Sequence, residues 1–248
     1  MALGKVEAIA QRLLVRLWDD IKAVLSDLNV PTPRPTDDGY RLFEVRPVQA
    51  ADGPVEVDIA RIVFQLPERF SAPTGRTNLY VHVRGRLGLD ANALQEGRLR
   101  TTSFNTEVAY FRHGRAGLKH VFGAHYDSDA KSLAHPVFHA QMKCYNERGS
   151  DVSDSFSLDC ASESVITGVF GTARIPTAQL DFFSVVMQLC ADHLIDENAD
   201  DTRRLAFNRM RELRHRFQGA GYAWPFGQAA ECMRSAHWYD DAPPIALV

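Results

Sequence analysis

Between Tyr40 and Cys144 one strand-like segment follows another, with only turn signals between them, and this narrows the fold more than any other feature. Segments 40–48 and 55–66 are separated by A-A-D-G-P. The stretch Leu79 to Arg84 alternates strictly, with Leu79, Val81 and Val83 on one face and His82 and Arg84 on the other. Residues 98–112 and 118–127 flank R-H-G-R-A-G, which reads as a hairpin turn. A further strand, 136–145, follows the loop S-D-A-K-S-L-A-H. Strands joined by such short connections pair antiparallel, because a parallel pair needs a long crossover. The last three strands are expected to form a consecutive meander.

Helical patterns lie on either side. Val6, Ile9, Leu13, Leu17, Ile21, Val24 and Leu28 recur at three- and four-residue spacing, so residues 4–29 predict a helix with one apolar face. The proline-rich linker 31–39 (P-T-P-R-P-T-D-D-G) cannot continue it. Such a helix either packs on the sheet or pairs with a protein partner. Segment 146–164, polar and serine-rich, reads as a surface loop. Helices are then expected from Pro176, whose fixed φ suits a first turn, to about Glu197, from Arg203 to Gln218, and from Gln228 to Tyr239. The class is α+β: an N-terminal helix (1–30), the linker, and one domain over 40–248. That domain holds a mostly antiparallel sheet (40–145), the loop and a C-terminal helical layer (176–240).

Composition bounds the setting. At 248 residues, 45% hydrophobic and 24% charged, the chain can bury one good core. Its apolar runs are too short to span a bilayer, and the N-terminus lacks a signal peptide's apolar stretch, so a cytoplasmic protein without membrane contact is expected. Cys144, Cys160, Cys190 and Cys232 are widely spaced and read as free thiols. Arg69 to Lys119 holds nine Lys or Arg against three acids (Asp90, Glu96, Glu107), in a chain of net charge −3. A basic middle in an acidic protein points to an anionic partner, a nucleotide or a nucleic acid, or else to a solvated arginine-rich face. The bias of 23 Arg to 5 Lys is that of a GC-rich, bacterial genome.

Chemistry concentrates in one place. Five of nine histidines fall between His113 and His139. Residues two apart in a strand share a face, so His125 goes with Asp127, and His139 with Gln141. Pairing Asp127 with Val137 would set His125 opposite His139, with Cβ atoms about 5 Å apart. Continuing the meander brings Glu107, or Asn105, onto the same face. A one-residue slip would scatter the set.

Two chemistries use it. His125 and His139 can divide the proton transfers of phosphodiester cleavage, with Glu107 alongside and Arg84, Arg112, Asn105 and Gln141 binding the ligand. Alternatively, His125, Asp127 and His139, or Glu107 in place of Asp127, hold a divalent metal with a position open to water. No H-E-x-x-H, P-loop, G-x-S-x-G or complete dinucleotide fingerprint is present. Beside these stand two non-catalytic readings. The histidines either fix sheet register through hydrogen bonds to each other or to Glu107, or only bind a ligand. A non-enzymatic assembly subunit, contacting partners through its terminal helices, is the alternative function. His113, in the turn, and His120, expected to face away from His125, are set apart. His193, His215 and His237 lie on predicted helices.

The order His125-Tyr126-Asp127, a polar loop, then His135-Pro-Val-Phe-His139 resembles TumE-like α+β proteins of bacterial toxin–antitoxin loci. The resemblance covers residues 104–142 only. This chain departs from the pattern in its longer loop, its N-terminal helix and its large helical C-terminal part. It implies a bacterial toxin or defence context, with His125, Asp127 and His139 as the residues to test.

Overall fold

In the computed structural model, seven strands form one sheet in chain order, and every neighbouring pair is antiparallel. They are β1 (Phe43–Val45), β2 (Val55–Pro67), β3 (Asn78–Leu89), β4 (Thr101–Gly114), β5 (Gly117–Ser128), β6 (Phe138–Met142) and β7 (Arg174–Pro176). The helices are α1 (Lys5–Asp27), α2 (Ala91–Gln95), α3 (Gly149–Phe156), α4 (Phe182–Leu194) and α5 (Asp201–Gly221). The structure describes residues 4–30, 41–47, 53–67, 78–115, 117–128, 138–142, 148–156, 174–176, 181–195 and 200–221. At 67, 78, 128, 138, 139, 174–176 and 214–221 it describes the backbone alone. The linker 31–39, the helix expected at 228–239, and Cys144, Cys160 and Cys232 lie outside these residues. The class is α+β, with a meander that runs through the whole sheet.

Alternation gives the sheet two unlike faces. One carries Phe64, Leu66, Val81, Val83, Leu87, Phe104 and Val108, all buried against α1 and α4 in the main core. Helix α1 packs there through Ala10, Leu14, Trp18, Ile21, Val24 and Leu25, so its apolar stripe belongs to the chain's own core. The stripe is centred one residue round from the expected one, with Leu13 and Leu17 at its margin. The helix stops at Asn29, in the left-handed region at φ 56, before the prolines are reached. Helix α5 lies outside α1, anchored by Ala206 and Met210 and by the Arg209–Asp27 ion pair at 2.5 Å. No described helix is long and apolar enough to cross a membrane.

Two expectations are corrected here. Pro176 closes strand β7 and does not open a helix; α4 begins six residues later, where buried Asp181 accepts hydrogen bonds from the Phe183 and Ser184 amides at 3.0 and 3.2 Å. Part of the serine-rich "loop" is helix α3. Val152 and Phe156, one turn apart, seat it on Val63, Tyr80, Ala109, Phe111 and Leu118, a second apolar cluster on the other face of the sheet. Tertiary packing therefore overrides the weak helix propensity of a Ser/Asp-rich segment. Helix α2, capped by Asp90, is an element that the strand pattern did not suggest.

Candidate functional site

Beyond the edge of the α3 cluster, the second face becomes polar, and register decides who meets whom. Arg84 pairs with Glu107, Glu107 with His125, His125 with Gln141 and Gln141 with Arg174. The adjacent row runs Asp58, Arg86, Asn105, Asp127, His139. The expected face is thus assembled, but by a pairing shifted two residues along β6. His125 faces Gln141, not His139, and His139 faces Asp127. A two-residue shift preserves the face and changes only the neighbours. Asp127 consequently lies between the histidines, two residues from His125 along its own strand and cross-strand from His139.

Arg112 does not belong to this set. It pairs with Leu79 and Lys119 and stands five residues from Glu107, an odd number, so it projects on the helix-covered side. His120 is corrected in the opposite sense. A bulge at Val121 resets parity, so that His120 pairs with Phe111 on the face of Glu107 and His125. It is buried there, with its ring edge-on to Phe111 at 5.2 Å.

Side-chain contacts divide the polar face into three groups. Arg84 grips Glu107 with both donors of one edge, Nε to Oε2 at 2.5 Å and Nη2 to Oε1 at 2.9 Å. Arg148, just before α3, adds Nη2 to the same Oε2 at 3.4 Å. So held, Glu107 ties two arginines to one point of the face. In the second group, Nε2 of His125 lies 3.6 Å from Asp127 Oδ2, and their side chains are 18% and 24% exposed, open enough for a ligand to reach. That distance is an electrostatic contact, longer than a hydrogen bond. Asp127 can orient the imidazole, as a proton-transfer pair requires.

The third group was not legible in the sequence as a site. His82, 0% exposed, has its Nε2 3.1 Å from Asp151 Oδ2, and Arg61 pairs with the other carboxylate oxygen. The hydrogen bond from His82, then Arg61 and Arg148, hold the Asp151 carboxyl below the ordinary range, against a burial effect that acts to raise it. Arg61 reaches this point because β2 bulges between Ile59 and Ile62, opposite Arg84. Strand alternation already placed His82 beside Arg84; the missing signal was the Val152–Phe156 spacing that makes α3 a helix and brings Asp151 over the sheet.

In the basic middle of the sequence, four described arginines are paired: Arg84 with Glu107, and three more with other acids. Asp58 takes Arg86 at 3.0 Å and also Arg46, Asp90 lies 3.6 Å from Arg100, and Glu96 pairs with Arg98. In and under the helical layer, burial raises the Tyr110 and Tyr126 phenols and pushes the Cys190 thiol up to about 12, so none of the three offers a nucleophile. Among the described residues, no group of three or more His, Cys, Asp or Glu side chains could hold a metal ion. The His139 side chain, part of the expected metal set, lies outside them. No protein-family model, curated protein or solved structure matches this chain.

Proposed function

We propose that the polar face binds a phosphate-bearing ligand, a nucleotide or a nucleic-acid strand, between the Arg84–Glu107–Arg148 group and the His125–Asp127 pair. The supporting observation is the register that sets Glu107, His125 and Gln141 in one row and Asn105, Asp127 and His139 in the next, on the same face. Cationic, amide and imidazole groups then converge on one half-exposed surface, a donor set suited to phosphate oxygens. If the ligand is cleaved, His125, oriented by Asp127, and His139 on the neighbouring strand are the proton carriers, one accepting and one donating. A divalent ion held by His125, Asp127 and His139 is the other route to the same hydrolysis. Both routes accord with the toxin-like context that the resemblance implies.

The test uses the full chain purified without an affinity tag. Nucleotide and oligonucleotide binding, cleavage of an activated phosphodiester, and metal content are compared between wild type and the variants His125→Ala and His139→Ala. Binding that is lost in the variants at unchanged melting temperature supports the reading. Stoichiometric metal lost in both would select the metal route. Binding that both variants retain in full would overturn the site.

A further inference from the structure

Among the described residues of this face, Arg148 is the least satisfied arginine. A guanidinium grips an oxyanion best through an edge of two parallel N–H donors. Arg84 commits such an edge fully to Glu107. Arg148 uses only Nη2, in a bond stretched to 3.4 Å, while its Nε is buried and meets no acceptor among the described residues. A buried donor on a charged group is costly to leave unmade, so the edge is poised for an acceptor that the fold itself does not supply. Counting Arg61 and Asp151, which Arg148 also feels, three guanidiniums and two carboxylates leave this group with a single positive charge. That matches an oxyanion of one negative charge better than a doubly charged monoester.

We infer that Arg148 is a specificity-determining residue that takes a non-bridging oxygen of a phosphodiester on its half-used Nε–Nη2 edge, with Glu107 holding the two arginines in place. The inference deepens the proposed function and rests on it. Glu107 is then a positioning residue, with His125 as its cross-strand neighbour. The phosphodiester can belong to a nucleic-acid strand or to a cyclic dinucleotide, since the chemistry on the clamp is the same.

The experiment titrates the full chain with three probes: a labelled single-stranded oligonucleotide of about ten nucleotides, the span of a typical single-strand site, a cyclic dinucleotide, and inorganic phosphate. Arg148→Ala is expected to weaken phosphodiester binding about tenfold or more, the effect of one lost hydrogen bond between charged groups. For the oligonucleotide, it also lowers the slope of log affinity against log salt by about 0.7, one phosphate contact. Arg148→Lys keeps the positive charge beside Glu107, and with it the fold, but lacks the planar edge; it should stay several-fold weaker than wild type. Dependence on Arg148 for the oligonucleotide names a strand as the source, and dependence for the cyclic dinucleotide alone names the small molecule. Wild-type affinity in Arg148→Lys, together with binding that still depends on His125, overturns the role of Arg148 and leaves the proposed function standing. Inorganic phosphate bound as tightly as either diester overturns the preference for a single charge. No binding of any probe by wild type removes the proposed function, and this inference with it.

Discussion

The two faces of this sheet are made by the same strands, yet they do opposite work. Along β3, Val81 and Val83 point into the helix-covered core, while His82 and Arg84, their immediate neighbours, point to the polar face. One face removes apolar surface from water and carries most of the folding free energy. The other, beyond the apolar α3 cluster, spends its side chains on charge pairs that are mostly part-exposed, where each pair is worth little. A face that adds little to stability, yet holds cations, carboxylates and imidazoles in fixed register, is where a ligand can be recognised without endangering the fold.

The contrast can be broken most severely at Phe182. It is fully buried, with its ring 5.7 Å from Trp18 of α1, 6.4 Å from Phe43 of β1 and 5.4 Å from Phe183. Phe182→Ala should cost about 3–5 kcal/mol in urea unfolding, the usual loss for a truncated core aromatic. A cost below that of any polar-face variant would mean that the main core has been assigned to the wrong face.

Asp151 is the intermediate case, a polar residue that holds a helix onto the sheet. Asp151→Ala leaves His82 buried without its Nε2 partner and Arg61 without its carboxylate. The expected cost is about 1–3 kcal/mol, and protease susceptibility within α3 should rise with it. If stability is unchanged, Val152 and Phe156 alone hold α3 in place, and the His82 contact is incidental.

The same residue gives a pH signature. Its folded pKa lies below its unfolded value, chiefly through the hydrogen bond with His82, helped by Arg61 and Arg148. The folded state therefore binds fewer protons than the unfolded state between the two values. The contribution is complete above the ordinary aspartate value of about 3.9 and disappears as pH falls through the lower folded value. The stability gap between wild type and Asp151→Asn should be constant near neutrality and close below about pH 4. A gap that is the same at both ends would remove the linkage.

What the sequence made legible follows from period. Strands 55–66, 98–112 and 118–127 were readable because period-two alternation and a glycine-containing turn agree, and both depend on local residues alone. The polar face was readable for the same reason. Partners within it were not, because the loop between β5 and β6 can close at more than one register. A two-residue shift there cost the His125–His139 pairing while sparing the face. Arg112 was misplaced against the parity rule itself, and His120 was misplaced because a bulge resets parity without changing composition. Helix α3 was hidden by polar residues, since it exists through two apolar contacts with distant strands. At Pro176 the fixed φ fits a strand end as well as a helix start, and only the capping geometry of Asp181 distinguishes them.

The smallest expected effect is also the sharpest test of the division between the faces. His125 touches Asp127 only at 3.6 Å, and both side chains keep contact with solvent. His125→Ala forfeits a screened electrostatic contact and no close hydrogen bond to Asp127. With both side chains partly open to solvent, the loss of stability should be smaller than that of Asp151→Ala. Phosphodiester binding should nonetheless fall by an order of magnitude or more, because the imidazole is one of few donors on that row. Loss of binding with unchanged stability is the signature of a residue kept for a ligand. A destabilisation comparable to that of Asp151→Ala, with binding reduced only in proportion to the unfolded fraction, would make His125 a register-fixing residue like the buried His82. The polar face would then be a second, wetter layer of the fold.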